Sequence, residues 1–138
     1  MDNSRPIGYW VKQLDELIER TLDQALEPFG LRRRHWQTLN LIAAGKRRSV
    51  DVTAGIAPFL EPSDGAESLL DDLTATGWLE HTDDSFDFTD SGRSRFETAH
   101  QAVTTSRTRA SEGLSRSDYE IMVATLQAMC QNLERAQQ

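Results

Sequence analysis

The sequence predicts a mainly α-helical fold with one small β-hairpin, and three observations support this. Apolar residues recur every three or four positions towards both ends of the chain, which is the period of an amphipathic helix. Glycines follow several of these stretches, where helices commonly end. One short segment alternates apolar and polar residues, as a strand does. The 138 residues suffice for one ordinary domain with its own core.

The first predicted helix is long, opens at Pro6 and ends near Gly30. Its apolar positions are Ile7, Trp10, Val11, Leu14, Leu17, Ile18, Leu22, Ala25 and Leu26. A shorter second helix ends at Gly45. Its apolar positions are Trp36, Leu39, Leu41, Ile42 and Ala43. The spacing in both segments predicts one apolar face on each helix.

The next elements are shorter. A basic link, Lys46-Arg47-Arg48, leads into a brief strand or extended residue and then a short helix that Pro62 breaks. Asp64 and Glu67 have the spacing of a capping box, which predicts the start of another helix. Its apolar stripe is Ala66, Leu69, Leu70 and Leu73, and Gly77 closes it.

A hairpin and two long helices complete the order. Trp78–His81 and Phe86–Phe88 alternate like strands around the turn Thr82-Asp83-Asp84-Ser85. Thr89-Asp90-Ser91-Gly92 looks like a helix start, and helical spacing then continues to Gly113. Ser115 and Asp118 have capping spacing before the last helix. The apolar positions of these two helices are Phe96, Ala99, Val103, Ser106 and Ala110, then Tyr119, Met122, Leu126, Met129 and Leu133.

Charge is distributed unevenly along the chain. The stretch from Asp51 to Asp90 carries eleven carboxylates and no Lys or Arg, and the net charge is -7. This balance argues against indiscriminate attachment to nucleic acid or to an anionic membrane. Basic clusters bracket the acidic stretch: Arg32-Arg33-Arg34, Lys46-Arg47-Arg48, Arg93 with Arg95, and Arg107 with Arg109.

Several other classes find little support. Cys130 is the only cysteine, and no export signal or apolar run of membrane-spanning length appears, so we expect a cytoplasmic protein. His35, His81, His100 and Cys130 lack metal-ligand spacing. Phosphate-binding loops and nucleophile motifs are absent, so we expect no enzyme, no metal and no cofactor. Cys130 is expected to be a small core or interface residue.

The first helix and the last two carry apolar stripes of more than three turns each, while the middle of the chain has enough apolar residues for its own core. Such stripes need a partner. Two interpretations remain open: the helices cap one another within a monomer, or two chains share them in a two-fold symmetric bundle. The length of the helices in so short a chain favours the homodimer.

A helix, a turn, a second helix with one apolar stripe and then a hairpin make up a winged helix-turn-helix. With long helices on both sides, the sequence resembles the MarR family of bacterial transcription regulators from Pro6 to Leu133. Three local matches carry the resemblance. They are Gly30-Leu31 with His35-Trp36-Gln37-Thr38-Leu39, then Leu69–Leu73 with Gly77-Trp78-Leu79, and Phe88-Thr89-Asp90-Ser91-Gly92-Arg93.

The resemblance implies a single domain over 1–138 that forms a homodimer on double-stranded operator DNA, usually as a repressor and sometimes with a small-molecule effector. Residues 6–30 and 93–134 would be dimerisation helices, and 31–92 the winged helix-turn-helix. Within the latter, Ser49–Leu60 would be the first helix, Asp64–Thr76 the recognition helix and Leu79–Phe88 the wing.

On that basis the recognition-helix residues that would face DNA are Asp64, Gly65, Glu67, Ser68 and Asp71, with Asp72 also outward. The family more often has Ser, Thr, Arg and Gln there, and its longer wing carries an Asp-x-Arg element where this chain has Asp83-Asp84-Ser85. Phosphate contacts would then come from Arg47, Arg48, Arg93 and Arg95, which position a protein without reading sequence. Alternatively, these arginines are salt-bridge partners of the acidic stretch.

Four aromatic residues near the helix ends are candidates for a ligand site: Tyr9, Trp10, His35 and Trp36. The resemblance places them near a cleft between the dimer helices and the winged core, although large aromatics in a small helical protein are commonly core. We therefore expect a dimeric regulator with weak, strongly salt-dependent DNA binding. The alternative is a degenerate relative whose acidic face binds a protein partner instead of DNA.

Overall fold

A computed structural model describes residues 4–61 and 65–138, and it confirms the mainly α-helical class with one hairpin. Six α-helices and one two-stranded antiparallel sheet lie in these ranges. The helices are α1 Ile7–Leu26, α2 Arg33–Ala43, α3 Ser49–Ile56, α4 Ala66–Ala75, α5 Asp90–Ala110 and α6 Arg116–Ala136. The strands are β1 Leu79–Thr82 and β2 Ser85–Phe88, and 3-10 turns at Glu27–Phe29 and Ala57–Phe59 follow α1 and α3.

The chain divides into two compact units after Ser106. The first contains α1 to α4, the hairpin and most of α5, and the second contains the end of α5 and α6. Each of the five helices in the first unit, together with both strands, contributes to one continuous apolar core, and α3 does so through Val52. Its buried members include Leu26, Leu31, Trp36, Leu39, Ile42, Val52, Leu70, Leu73, Trp78, Leu79, Phe86, Phe88, Ala99 and Val103.

The helix ends largely follow the predicted signals. Pro6 is extended just before α1, and the chain leaves the following 3-10 turn through Gly30 at φ +69°. The hydroxyl of Ser115 accepts a hydrogen bond of 3.0 Å from the Asp118 N–H, so the predicted cap of α6 is confirmed. Backbone N–H groups of a first helical turn have no partner within the helix, and such a cap satisfies one of them.

Two predicted boundaries need correction. The helix expected over Ser49–Leu60 ends at Ile56, because Pro58 has no N–H for a further α-helical bond and lies in the 3-10 turn, after which Leu60 is extended. The recognition helix begins at Ala66, and Gly65 precedes it in an extended conformation. Pro62 and Asp64, and with them the predicted helix break and capping box, lie outside the described residues.

The hairpin pairs Leu79 with Phe88 and Thr82 with Ser85, so its turn consists of Asp83 and Asp84 alone. The wing is therefore as short as the sequence predicted, and Asp83 takes a positive φ of 54°. Leu79, His81, Phe86 and Phe88 lie on the face towards the core, and Glu80, Thr82, Ser85 and Asp87 on the opposite face.

The basic link adds a third short strand segment to the wing, which confirms the predicted extended residue before α3. Arg48 forms an isolated antiparallel bridge with Ser85. The Ser49 N–H donates to the Asp84 carbonyl at 2.7 Å, and the Phe86 N–H donates to the Arg47 carbonyl at 2.8 Å. The start of α3 and the wing are thus fixed to each other by backbone hydrogen bonds.

The first turn of α5 lies directly against the chain that enters the wing. The Thr89 hydroxyl donates to the Gly77 carbonyl at 2.6 Å and accepts from the Gly92 N–H at 2.9 Å. Gly92 is buried, and a Cβ added there would lie 2.1 Å from the Trp78 carbonyl oxygen. The glycine is required because any side chain would push α5 away from the root of the wing.

Gly92→Ala should lower the free energy of unfolding by about 3 kcal/mol, since the methyl group meets backbone that has no room to move. Gly8→Ala is the matched control, because a Cβ on this α1 glycine meets nothing within 4 Å. That control should stabilise the chain by roughly 0.5 kcal/mol. Urea unfolding at one fixed protein concentration measures both, and equal effects of the two substitutions would contradict the assigned role of Gly92.

Candidate nucleic-acid interface

One face of α4 packs in the core, and the opposite face is exposed. Ala66, Leu70 and Leu73 are buried, whereas Glu67, Ser68 and Asp71 are exposed on the opposite side. α4 packs against α2, α3 and β1, so its inner face is held from three sides. The predicted recognition-helix residues Glu67, Ser68 and Asp71 therefore share one open surface, while Asp64 lies outside the described residues.

Asp72 differs from its acidic neighbours because it has a specific partner. His35, on α2, lies with Nε2 at 3.1 Å from Asp72 Oδ2. The other ring nitrogen, Nδ1, accepts a hydrogen bond from the Arg32 N–H, so in the neutral ring the proton is on Nε2 and faces the carboxylate. Asp72 thus ties α4 to the start of α2, a contact that the sequence analysis missed.

Three of the four arginines proposed for phosphate contacts surround the wing. Arg47 Nη1 lies 3.5 Å from Asp87 Oδ2, and Arg93 Nη2 lies 3.6 Å from Asp87 Oδ1. Arg48 Nη2 lies 3.7 Å from Asp84 Oδ2. These side chains are between 44% and 68% exposed, so the pairs are long, solvated and individually weak. The alternative interpretation, in which these arginines partner the acidic stretch, applies to all three.

Arg95 has a different environment. Its guanidinium lies 4.0 Å from the ring centre of Trp78, which is a cation–π distance. It donates to the carbonyl of Phe29 at 3.4 Å and to the carbonyl of Thr76 at 3.5 Å, near the ends of the α1 segment and of α4. Positive charge at helix carboxyl ends is stabilising. Arg95 thus contacts the Trp78 ring and two backbone carbonyl groups, whereas the other three arginines pair with carboxylates of the wing.

The four aromatic candidates for a ligand site do not come together within the chain. Tyr9 and Trp10 contact each other edge to face near the start of α1. Trp10 is about 24 Å along the helix from Leu26, the last residue of α1, which packs in the core. Trp36 is buried and stacks on Phe96 at 5.1 Å, and His35 contacts Asp72. Trp36 is therefore a core residue, as the alternative interpretation held.

A concavity of about 620 Å³ lies elsewhere, on the polar side of the corner between α1 and α2. Charged and polar side chains line it, including Arg20, Asp23, Arg32 and Arg34. It shares none of the four aromatic candidates. Cys130 is exposed on α6, which excludes a core position within the chain and leaves the expected interface position as a prediction.

Solved structures of bacterial regulators share this architecture. A MarR family transcriptional regulator from Rhodococcus sp. RHA1 is 26% identical, with a TM-score of 0.70 over 94% of this chain and 95% of that one. CouR from Rhodococcus jostii RHA1, solved with p-coumaroyl-CoA, is also 26% identical, with a TM-score of 0.69 over 91% and 92% of the two chains.

The chain has the fold of MarR family transcriptional regulators.

MepR, which regulates the multidrug efflux pump MepA of Staphylococcus aureus, resembles this chain in fold, at 20% identity and a TM-score of 0.71 over 94% of this chain and 99% of that one. No family model and no curated protein matches the sequence. Within the described residues, none of the helices combines the length and apolarity needed to cross a membrane.

Proposed function

We propose that the chain regulates transcription by binding operator DNA as a homodimer, with α4 in the major groove. The observation that carries this proposal is the orientation of α4. Its inner face is buried in the core, whereas Glu67, Ser68 and Asp71 are exposed beside the wing. A helix held in this way after a turn is the reading element of helix-turn-helix proteins. A Mycobacterium tuberculosis MarR family protein, 18% identical and similar in fold, has been solved with DNA.

The charges of this surface predict weak binding. α4 carries no Lys or Arg, and among the described residues only one of its three carboxylates, Asp72, has a hydrogen-bond donor within reach. Glu67 and Asp71 therefore face the groove without compensation, although one carboxylate can accept from cytosine N4. Affinity must come from cations outside α4, and we assign this role to the arginines at the wing, Arg47, Arg48 and Arg93.

Those three arginines are suited to phosphate because their present partners are easily displaced. Each is about half exposed, and exposed ion pairs contribute little to stability. Arg95 is not counted among them, because its guanidinium lies over Trp78 and donates to two carbonyl groups away from the wing carboxylates. Three arginines in each of two chains give six phosphate contacts, for which counterion release predicts a slope of about -5 in log affinity against log salt.

Fluorescence anisotropy with a duplex from the chain's own promoter and an unrelated duplex, over a salt series, tests this proposal. We expect preference for the promoter duplex and a steep salt dependence. Arg93→Ala should weaken binding to both duplexes and flatten the slope by about 2 for the dimer. Arg116→Ala, which removes an exposed arginine of α6, is the matched control and should change neither.

Two results would contradict the proposal. The first is tight binding that salt does not affect, because it would show that affinity does not depend on the wing arginines. The second is the absence of binding to either duplex at low salt. A stoichiometric protein partner in that case would favour the alternative function through the acidic face.

Dimer formation is supported by apolar residues that the single chain leaves uncovered. On α1 these are Ile7, Trp10, Val11, Leu14, Leu17 and Ile18, all more than 40% exposed and all on one face. On α6 they are Tyr119, Ile121, Met122, Val123, Met129 and Leu133. Exposed apolar surface of this extent is typical of protein interfaces. A second copy of the chain is the partner that we propose for both helices.

Sedimentation analysis should give twice the chain mass of 15.6 kDa at micromolar concentration. Leu14→Asp should shift the protein towards the monomer, since it places a carboxylate in the centre of the α1 stripe. Lys12→Asp, on the polar face of the same helix, is the control and should leave the dimer intact. A monomer at all concentrations for the unmodified chain would rule the dimer out.

A further inference from the structure

Asp87 lies between two of the arginines that the proposed function assigns to DNA. Its two carboxylate oxygens face different cations, Oδ2 towards Arg47 at 3.5 Å and Oδ1 towards Arg93 at 3.6 Å. Oδ1 also accepts a hydrogen bond of 2.8 Å from the Phe88 N–H. One carboxylate thus stands at the centre of a small basic surface, which we call the wing cluster: Arg47, Arg93 and Asp87.

The backbone fixes this arrangement. Arg47 is held beside β2 because its carbonyl accepts from the Phe86 N–H and the next residue, Arg48, bridges to Ser85. Arg93 is held in the first turn of α5, where its N–H donates to the Thr89 carbonyl at 2.9 Å. Asp87 itself is in the middle of β2, on the outer face of the hairpin. The two guanidinium groups therefore meet this carboxylate without rearrangement of the chain.

A phosphate and a carboxylate present the same kind of acceptor to a guanidinium group. If the backbone of a duplex approaches Arg47 and Arg93, it must displace Asp87 and then lie beside a carboxylate that has lost its partners. The displacement itself opposes binding only slightly, because the pairs are exposed. The released negative charge also repels the phosphate at short range.

We propose that Asp87 lowers the affinity of this protein for DNA by competing with the phosphate backbone for Arg47 and Arg93. This inference rests on the proposed function, which supplies the DNA, and it adds a residue that sets the strength of binding. Asp87 acts in the wing cluster through the arginines and reads no base.

Glu80 provides a matched control within the same hairpin. It is the direct cross-strand partner of Asp87 and lies on the same outer face. Among the described residues, Glu80 has no ion pair with an arginine, whereas Asp87 has two. Neutralising either residue removes one negative charge from the wing, but only the change at Asp87 frees the two guanidinium groups.

The experiment compares Asp87→Asn with Glu80→Gln on the full-length protein, using anisotropy with the promoter duplex and elution from a heparin column with salt. Asparagine keeps an oxygen for the Phe88 N–H, so the hairpin should persist. We expect Asp87→Asn to tighten DNA binding about fivefold and to delay elution from heparin. Glu80→Gln should change affinity less than about twofold.

The same pair of substitutions in an Arg47→Ala, Arg93→Ala background isolates the competition. With both arginines gone, Asp87→Asn should gain no more than Glu80→Gln does. Equal effects of the two substitutions in the unmodified background, on either polyanion, would overturn the inference and leave the proposed function intact. If Asp87→Asn gains on heparin and equally on the promoter and unrelated duplexes, the competition at the wing cluster holds and the proposed recognition of an operator fails.

Discussion

The close approach of α5 to the root of the wing is the constraint on which the rest of the structure depends. Gly92 lies against the Trp78 carbonyl, and the Thr89 hydroxyl connects Gly77 to the first turn of α5. Arg95 covers the Trp78 ring and reaches carbonyl groups near the ends of the α1 segment and α4. A two-stranded hairpin is not stable by itself in water, so this junction and the Arg48 bridge determine where the wing stands relative to α4.

The elements that the sequence predicts correctly depend on residues that lie close together in the chain. The cap of α6 depends on residues three positions apart, and the hairpin on alternation over four residues on each side of its turn. The contacts that define the site join residues far apart in sequence. His35 is 37 residues from Asp72, Arg47 is 40 from Asp87 and Arg95 is 66 from Phe29. No periodicity or spacing predicts such pairs. The sequence therefore indicates a phosphate contact for Arg95 but neither its contact with Phe29 nor the pairing of Asp72 with His35.

The structure reduces the number of unpaired carboxylates that oppose a DNA-reading role. Asp84 and Asp87 lie against arginines at the wing, and Asp72 accepts from His35. Glu67 and Asp71 are the two carboxylates of α4 that remain open without such a partner among the described residues. Since surface ion pairs are weak and exchangeable, the proposed competition at the wing would weaken an electrostatic interaction with DNA without abolishing it. Under the proposed function, acidic charge in this chain therefore adjusts the affinity for DNA, and the outer face of α4 remains available to the groove.

The most direct test of this account is the genome-wide occupancy of the tagged protein in cells, with co-purified proteins identified from the same samples. The account predicts discrete sites on DNA, including one near the chain's own gene. Those sites should disappear in the Arg47→Ala, Arg93→Ala variant, although the protein remains folded and present at the same level. The absence of discrete sites for the unmodified protein, together with a stoichiometric protein partner, would contradict it.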